Sequence, residues 1–179
     1  MKQPILTSWY VITGGPSSGK SKLIDRLAFS IFQVIPEAAR IYIDEEMSKG
    51  RKIEEIRADE AEFQRIVLKM KAKLELKVIP GRITFFERGI PDSVAYYRSL
   101  GLDTTPVIEA SKQRRYCGIF LLDLLPYIPD YARTEDKETR RKLDQFLYED
   151  YTNLGYNVIR VPVMTIGERM QFILERVKC

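Results

Sequence analysis

Histidine is absent from this 179-residue chain. Its absence removes Ser-His-Asp and Cys-His nucleophilic catalysis and every His-ligated metal site, and leaves acid–base work to carboxylates, lysine or tyrosine. Cysteine is nearly absent: Cys117 and Cys179 are the only two, with no spacing for a disulfide framework or a zinc site. That usage fits a reducing, cytoplasmic setting. No apolar run approaches membrane-spanning length, and Met1-Lys2-Gln3-Pro4 lacks a signal-peptide pattern. A basic stripe is missing too. The net charge is +4 with acids scattered among the bases, so neither nucleic acid nor membrane is an expected partner. There are no repeats, low-complexity tracts or linkers. Residues 1–179 therefore read as one domain, and its 45% apolar content suffices for a core. A monomer or small homo-oligomer is expected.

What is present is a phosphate-binding loop. Gly14-Gly15-Pro16-Ser17-Ser18-Gly19-Lys20-Ser21 fits G-x-x-x-x-G-K-[ST] at every fixed position. Glycines let the backbone curl so that consecutive N–H groups face inward and cradle phosphate oxygens. The helix that begins there adds the positive end of its dipole. Context matches the motif. Trp9-Tyr10-Val11-Ile12-Thr13 before it reads as a buried strand, and Leu23, Ile24, Leu27, Ala28 and Ile31 after it share one helical face. Gly14, Gly15, Pro16, Ser17, Ser18, Gly19, Lys20 and Ser21, together with Lys22, form the expected nucleotide-binding set. Lys20 reaches the terminal phosphates and Ser21 holds Mg²⁺.

The rest of the chain alternates. Phe32 to Ile35, stopped by Pro36, reads as a second strand lying beside the first, with Ile41-Tyr42-Ile43 as a rival. Ala38 to Lys49 reads as helix, and Ile53 to Val78 as one long helix with an apolar stripe at Phe63, Ile66, Val67, Met70 and Leu74. Strands follow at Ile83–Phe86, Cys117–Leu122 and Asn157–Pro162, with helices between and after them. The expected class is α/β, a P-loop NTPase fold. Its five-stranded parallel sheet has helices on both faces and strand C-termini on one edge. The polar, proline-bearing stretch Leu124–Asp136 breaks the periodicity and reads as a loop over the ligand.

That edge gathers charged candidates. Glu87 ends the strand expected beside the first, where it either serves Mg²⁺ and the acceptor or simply pairs with Arg88. Glu37 either takes a proton from a substrate hydroxyl or favours a helix start through the dipole. Arg40, three residues on, shares its face and is placed to grip an acceptor. Arg88 and Asp130 are further acceptor-side candidates. Arg133, in the loop, is the arginine that swings over the phosphates as charge develops, with Arg140 and Arg141 as alternatives. The catalytic set is thus Lys20, Glu37, Glu87 and Arg133; the metal set is Ser21 and Glu87.

The phosphate loop, Pro36-Glu37-Ala38-Ala39-Arg40, the run Phe85-Phe86-Glu87-Arg88-Gly89-Ile90-Pro91-Asp92-Ser93, Ile119 to Asp123, Pro129-Asp130-Tyr131-Ala132-Arg133 and Asn153 to Pro162 carry a resemblance that runs nearly end to end. On these residues the chain resembles the NadR-type, AAA-labelled family of small P-loop ATPases, which includes the ribosylnicotinamide kinase domain. The resemblance implies a nucleotide-kinase-like fold, ATP binding, and a lid over about residues 124–137 in which Arg133 matches the lid arginine. It also favours Phe32–Ile35 as strand two, because the family has Glu-x-x-Arg after that strand. The chain departs from the pattern at Tyr131, where a glycine often follows the lid aspartate, and at Glu87, where Asp is also common. Two functions remain open at this level. One is a kinase moving the terminal phosphoryl group of ATP, with Mg²⁺, to the hydroxyl of an unidentified, nucleoside-like small molecule. The other is an ATPase or nucleotide-binding regulatory module with no acceptor.

Overall fold

The computed structural model describes residues 3–126 and 137–178. In chain order the elements are β1 (Ile5–Leu6), β2 (Trp9–Thr13), α1 (Lys20–Ala28), β3 (Gln33–Ile35), α2 (Ala38–Ser48), α3 (Ile53–Ile56), α4 (Glu60–Leu76) and β4 (Thr84–Glu87). There follow α5 (Asp92–Ser99), α6 (Thr105–Ser111), β5 (Arg114–Arg115), β6 (Gly118–Leu122), α7 (Lys137–Asn153), β7 (Val158–Val161) and α8 (Ile166–Leu174). Five strands form one parallel sheet in the order β3-β4-β2-β6-β7. The expected α/β P-loop fold is therefore the observed one.

β2 is buried at every residue because it is the middle strand and both its faces are covered. Tyr10 and Ile12 point into a core shared with Leu23, Ile24 and Leu27 of α1 and Ile173 of α8. Trp9 and Val11 point the other way, onto Phe86, Tyr116 and Tyr151. Each fully buried side chain of this size is worth about 1.5–3 kcal/mol. The three on α1 together outweigh the small propensity differences along that helix, so packing sets its rotation and aims its N-terminus at the end of β2. Gly118 of β6 sits opposite Tyr10, whose ring occupies the space a side chain would take.

Several expectations change. The second strand, β3, pairs with β4 and not with β2. The rival segment Ile41–Ile43 lies inside α2. α1 stops at Ala28, and Ile31, expected on its buried face, is exposed. The long helix is two, because Asp59 accepts a hydrogen bond from the Glu62 N–H at 2.9 Å and caps a new start at Glu60. β1 and β5 add an unforeseen two-residue parallel pair. Cys117 is disulfide-bonded, where cysteine usage suggested no bridge. Leu124–Pro126 is irregular as expected; the remainder of the anticipated lid, with Asp130, Tyr131 and Arg133, lies outside the described residues. Among the described residues no helix is long and apolar enough to cross a membrane.

Candidate functional site

The site grows from the end of the central strand. After Thr13 the chain turns through Gly14 with φ 144°, where a Cβ would lie 2.7 Å from the Leu122 carbonyl oxygen. Only glycine tolerates both demands. Ser17 and Gly19 also have positive φ, 61° and 88°, and Gly19 is the residue before α1 with no side chain to cap it. α1 thus starts without a side-chain cap, and its first N–H groups have no partner within the helix.

Lys20 is buried and folds back on the loop. Its Nζ donates to the carbonyls of Gly14 (3.0 Å) and Gly15 (2.9 Å) and to Ser18 Oγ (3.2 Å). Burial, with Arg88 nearby, pulls its pKa down to about 7, against the pull of Glu37, Glu87 and Asp92. A buried cation held by neutral oxygens is the state expected of a group that awaits an anion. Ser21 Oγ donates to Glu87 Oε1 at 2.7 Å. The buried Glu87 carboxyl is pushed up by desolvation and by the Glu37 carboxylate, partly offset by Ser21 and Lys20. Lys22, on the outer face of α1, is exposed.

Across from the loop lies a second group. Arg88 follows β4 with φ 65°, a conformation uncommon outside glycine. Its Nε donates to Glu37 Oε1 at 2.8 Å and its Nη1 to Asp92 Oδ1 at 3.1 Å. Glu37 is thus turned away from any capping role: it precedes α2 but makes no cap hydrogen bond. Burial opposes its charge, yet Arg88, Lys20 and Lys71 overcome that and hold its pKa below the ordinary value. Asp92, fully buried, also accepts from Thr13 Oγ1, Tyr151 Oη and the Gly89 N–H. It therefore joins the end of β2, the end of β4 and α7, and the directions of its bonds fix the Arg88 side chain.

So the structure brings Gly14–Ser21, Glu37, Glu87 and Arg88 together. Arg40 is exposed. Arg133 and Asp130 lie outside the described residues. Sequence inspection missed Asp92 as a ligand of Arg88, and missed Lys71, which is buried and donates to Ser93 Oγ at 2.9 Å. The signal for Asp92 was present in Arg88-Gly89-Ile90-Pro91-Asp92, where i and i+4 flank a turn. Lys71 gave no signal, since one lysine among many on an amphipathic helix looks solvated. Two arginines behind the loop, Arg140 and Arg169, are also buried.

Solved structures share this architecture. Thymidylate kinase from Ehrlichia chaffeensis superposes with a TM-score of 0.69 at 13% identity over 98% of this chain and 100% of that one. The NadR protein in complex with NAD and AMP-PNP gives 0.69 at 20% identity over 96% of this chain, which spans only 49% of NadR. Deoxyadenosine kinase from M. mycoides with products dCMP and dCDP gives 0.63 at 12% identity, covering 94% and 98%. These likenesses are of fold. Among curated proteins no sequence matches. A family model described as AAA domain matches residues 9–169, and the chain, with its phosphate loop in place, belongs to that AAA domain family.

Proposed function

We propose that the protein is an ATP-dependent kinase that transfers the terminal phosphoryl group to a hydroxyl of a nucleoside-like small molecule. One observation carries this above nucleotide binding alone: Glu37 is ion-paired to Arg88, kept ionised, and set among the groups that act on Lys20. Such a carboxylate can take the proton of an attacking hydroxyl, which nucleotide binding alone does not require. Support for the acceptor class comes from the fold neighbours, described with NAD or with dCMP and dCDP bound.

In this reading the Ser17-to-Ser21 backbone and Lys20 bind the phosphates of ATP. Ser21 and Glu87 offer a hydroxyl and a carboxylate 2.7 Å apart, a hard oxygen set that suits Mg²⁺. Mg²⁺ there would neutralise charge on the phosphates. Glu37 accepts the proton of the acceptor hydroxyl as its oxygen bonds to the γ-phosphorus. The bond from the bridging oxygen to that phosphorus breaks, and ADP leaves with the electron pair. Arg88 keeps Glu37 in its ionised form and aimed. Arg133 is the lid arginine of this scheme and Asp130 an acceptor contact.

The test is product formation from ATP and Mg²⁺ with a pool of nucleosides and related hydroxyl compounds. Phosphorylated product that vanishes in Lys20→Ala supports the proposal. Phosphate release that is indifferent to every member of a broad pool overturns it in favour of an ATPase.

A further inference from the structure

Two buried arginines from outside the motif grip the back of the phosphate loop. Arg169, on α8, is 3% exposed. Its Nη1 donates to the Ser18 carbonyl at 2.6 Å, its Nη2 to the Asp123 carbonyl at 3.3 Å and its Nε to the Pro162 carbonyl at 3.0 Å. Arg140, on α7 and also 3% exposed, donates from Nε to the Pro16 carbonyl at 3.0 Å and from Nη2 to the Leu125 carbonyl at 3.2 Å.

The geometry of the peptide unit turns these bonds into a statement about the opposite side of the loop. Every peptide here is non-cis, so each C=O and the N–H of the next residue point in opposite directions. Gly14 supplies the check. Its carbonyl accepts from Lys20, and the Gly15 N–H points the other way, to Asp144 Oδ1 at 3.3 Å. By the same rule, holding the Ser18 carbonyl on Arg169 turns the Gly19 N–H away from that arginine. Holding the Pro16 carbonyl on Arg140 turns the Ser17 N–H away likewise. Ser17 and Gly19 are two of the three positions of the curl with positive φ, Gly14 being the third, and such backbone persists where its surroundings hold it.

We propose that Arg169 and Arg140 are positioning residues for nucleotide binding. By binding the outward carbonyls of Ser18 and Pro16, they present the Gly19 and Ser17 N–H groups to the phosphates. They also add two fixed positive charges behind the cradle. Because the same guanidinium groups hold the Asp123 and Leu125 carbonyls, the segment that leaves β6 is fastened to the loop through them. The inference rests on the phosphate-loop part of the proposed function and not on the identity of the acceptor.

The experiment is titration of the full chain with ADP and Mg²⁺, read by calorimetry and by the amide resonance of Gly19, for wild type, Arg169→Met and Arg169→Lys. Arg169→Met should weaken ADP binding about tenfold or more and diminish the ADP-induced shift of the Gly19 amide. Arg169→Lys, which keeps the charge and can hold one carbonyl, should lose less. If Arg169→Met does not fold, the lysine variant carries the same test at smaller amplitude. A folded variant that melts at a lower temperature yet binds ADP as wild type does, with the Gly19 shift intact, overturns the positioning role and leaves a purely structural one. A wild-type chain that does not bind ADP overturns the phosphate-loop reading beneath both proposals.

Discussion

Glu37 and Arg88 form the ion pair on which the proposed transfer rests. Arg88 is 5% and Glu37 21% exposed at the side chain, with 2.8 Å between Nε and Oε1. Asp92 holds the other edge of the guanidinium. The carboxylate is thereby kept charged and oriented, as a proton acceptor must be. Glu37→Gln retains the shape and removes the basicity. It is expected to reduce phosphoryl transfer at least a hundredfold while leaving ADP affinity within a few-fold. It should also lower stability by about 1–3 kcal/mol, since the buried Arg88 loses a charged partner. Transfer assays, calorimetry and thermal melts of the same preparation check all three. An unchanged transfer rate would return Glu37 to a structural role. Arg88 was legible in the string as an acceptor-side candidate, but its bond to Asp92 was not, because that depends on burial, which is a property of what packs over them.

At the scale of elements, the strands and the phosphate loop were legible because each carries a local demand. β2 and β6 are short continuous apolar runs, the pattern of strands covered on both faces. The loop needs glycine where φ is positive and where the Leu122 carbonyl approaches. Element ends were less legible. Ile31 keeps the apolar periodicity of α1, yet the helix has already ended, and Asp59 breaks a helix that periodicity alone would continue. Partner choice was the least legible: β3 lies beside β4, a matter of how α1 and α2 cross the sheet rather than of β3 itself. Gly118 illustrates a demand that comes from a neighbouring strand. A Cβ there would sit 2.8 Å from the Tyr10 ring, and Tyr10 is 2% exposed with no room to retreat. Gly118→Ala should therefore cost about 1–3 kcal/mol. In urea unfolding this appears as a lower midpoint with an unchanged slope; an equal or higher midpoint would show that the ring can move.

Over the whole molecule, buried ionisable groups shape the response to pH. Burial raises the Glu75 carboxyl to about 7. Its folded state binds a proton that the unfolded state releases, so stability falls as pH rises from about 4.5 to 7. Burial lowers Lys20 to about 7 and Lys71 to about 8. There the unfolded state holds the extra proton, so stability rises with pH from about 7 towards 10. The ligand-free protein should show a minimum of thermal stability near pH 7, and Glu75→Gln should make the descending limb between pH 5 and 7 shallower, the raised Glu87 and Asp150 carboxyls supplying the rest. Scanning fluorimetry across pH 5–9 checks this; a maximum at pH 7 would contradict it.

By itself the sequence determined the alternation of strands and helices, the phosphate loop and the strand-end carboxylates, since each follows from spacing within a few turns of chain. Tertiary structure alone decided that Glu37 meets Arg88 across 51 residues, that Asp92 joins three elements, and that Arg140 and Arg169 reach the loop from 124 and 151 residues away. Contacts at such separations depend on how faces pack and how strands are ordered, and on which charges burial forces to find partners. Those are properties of the closed chain, and no local stretch contains them.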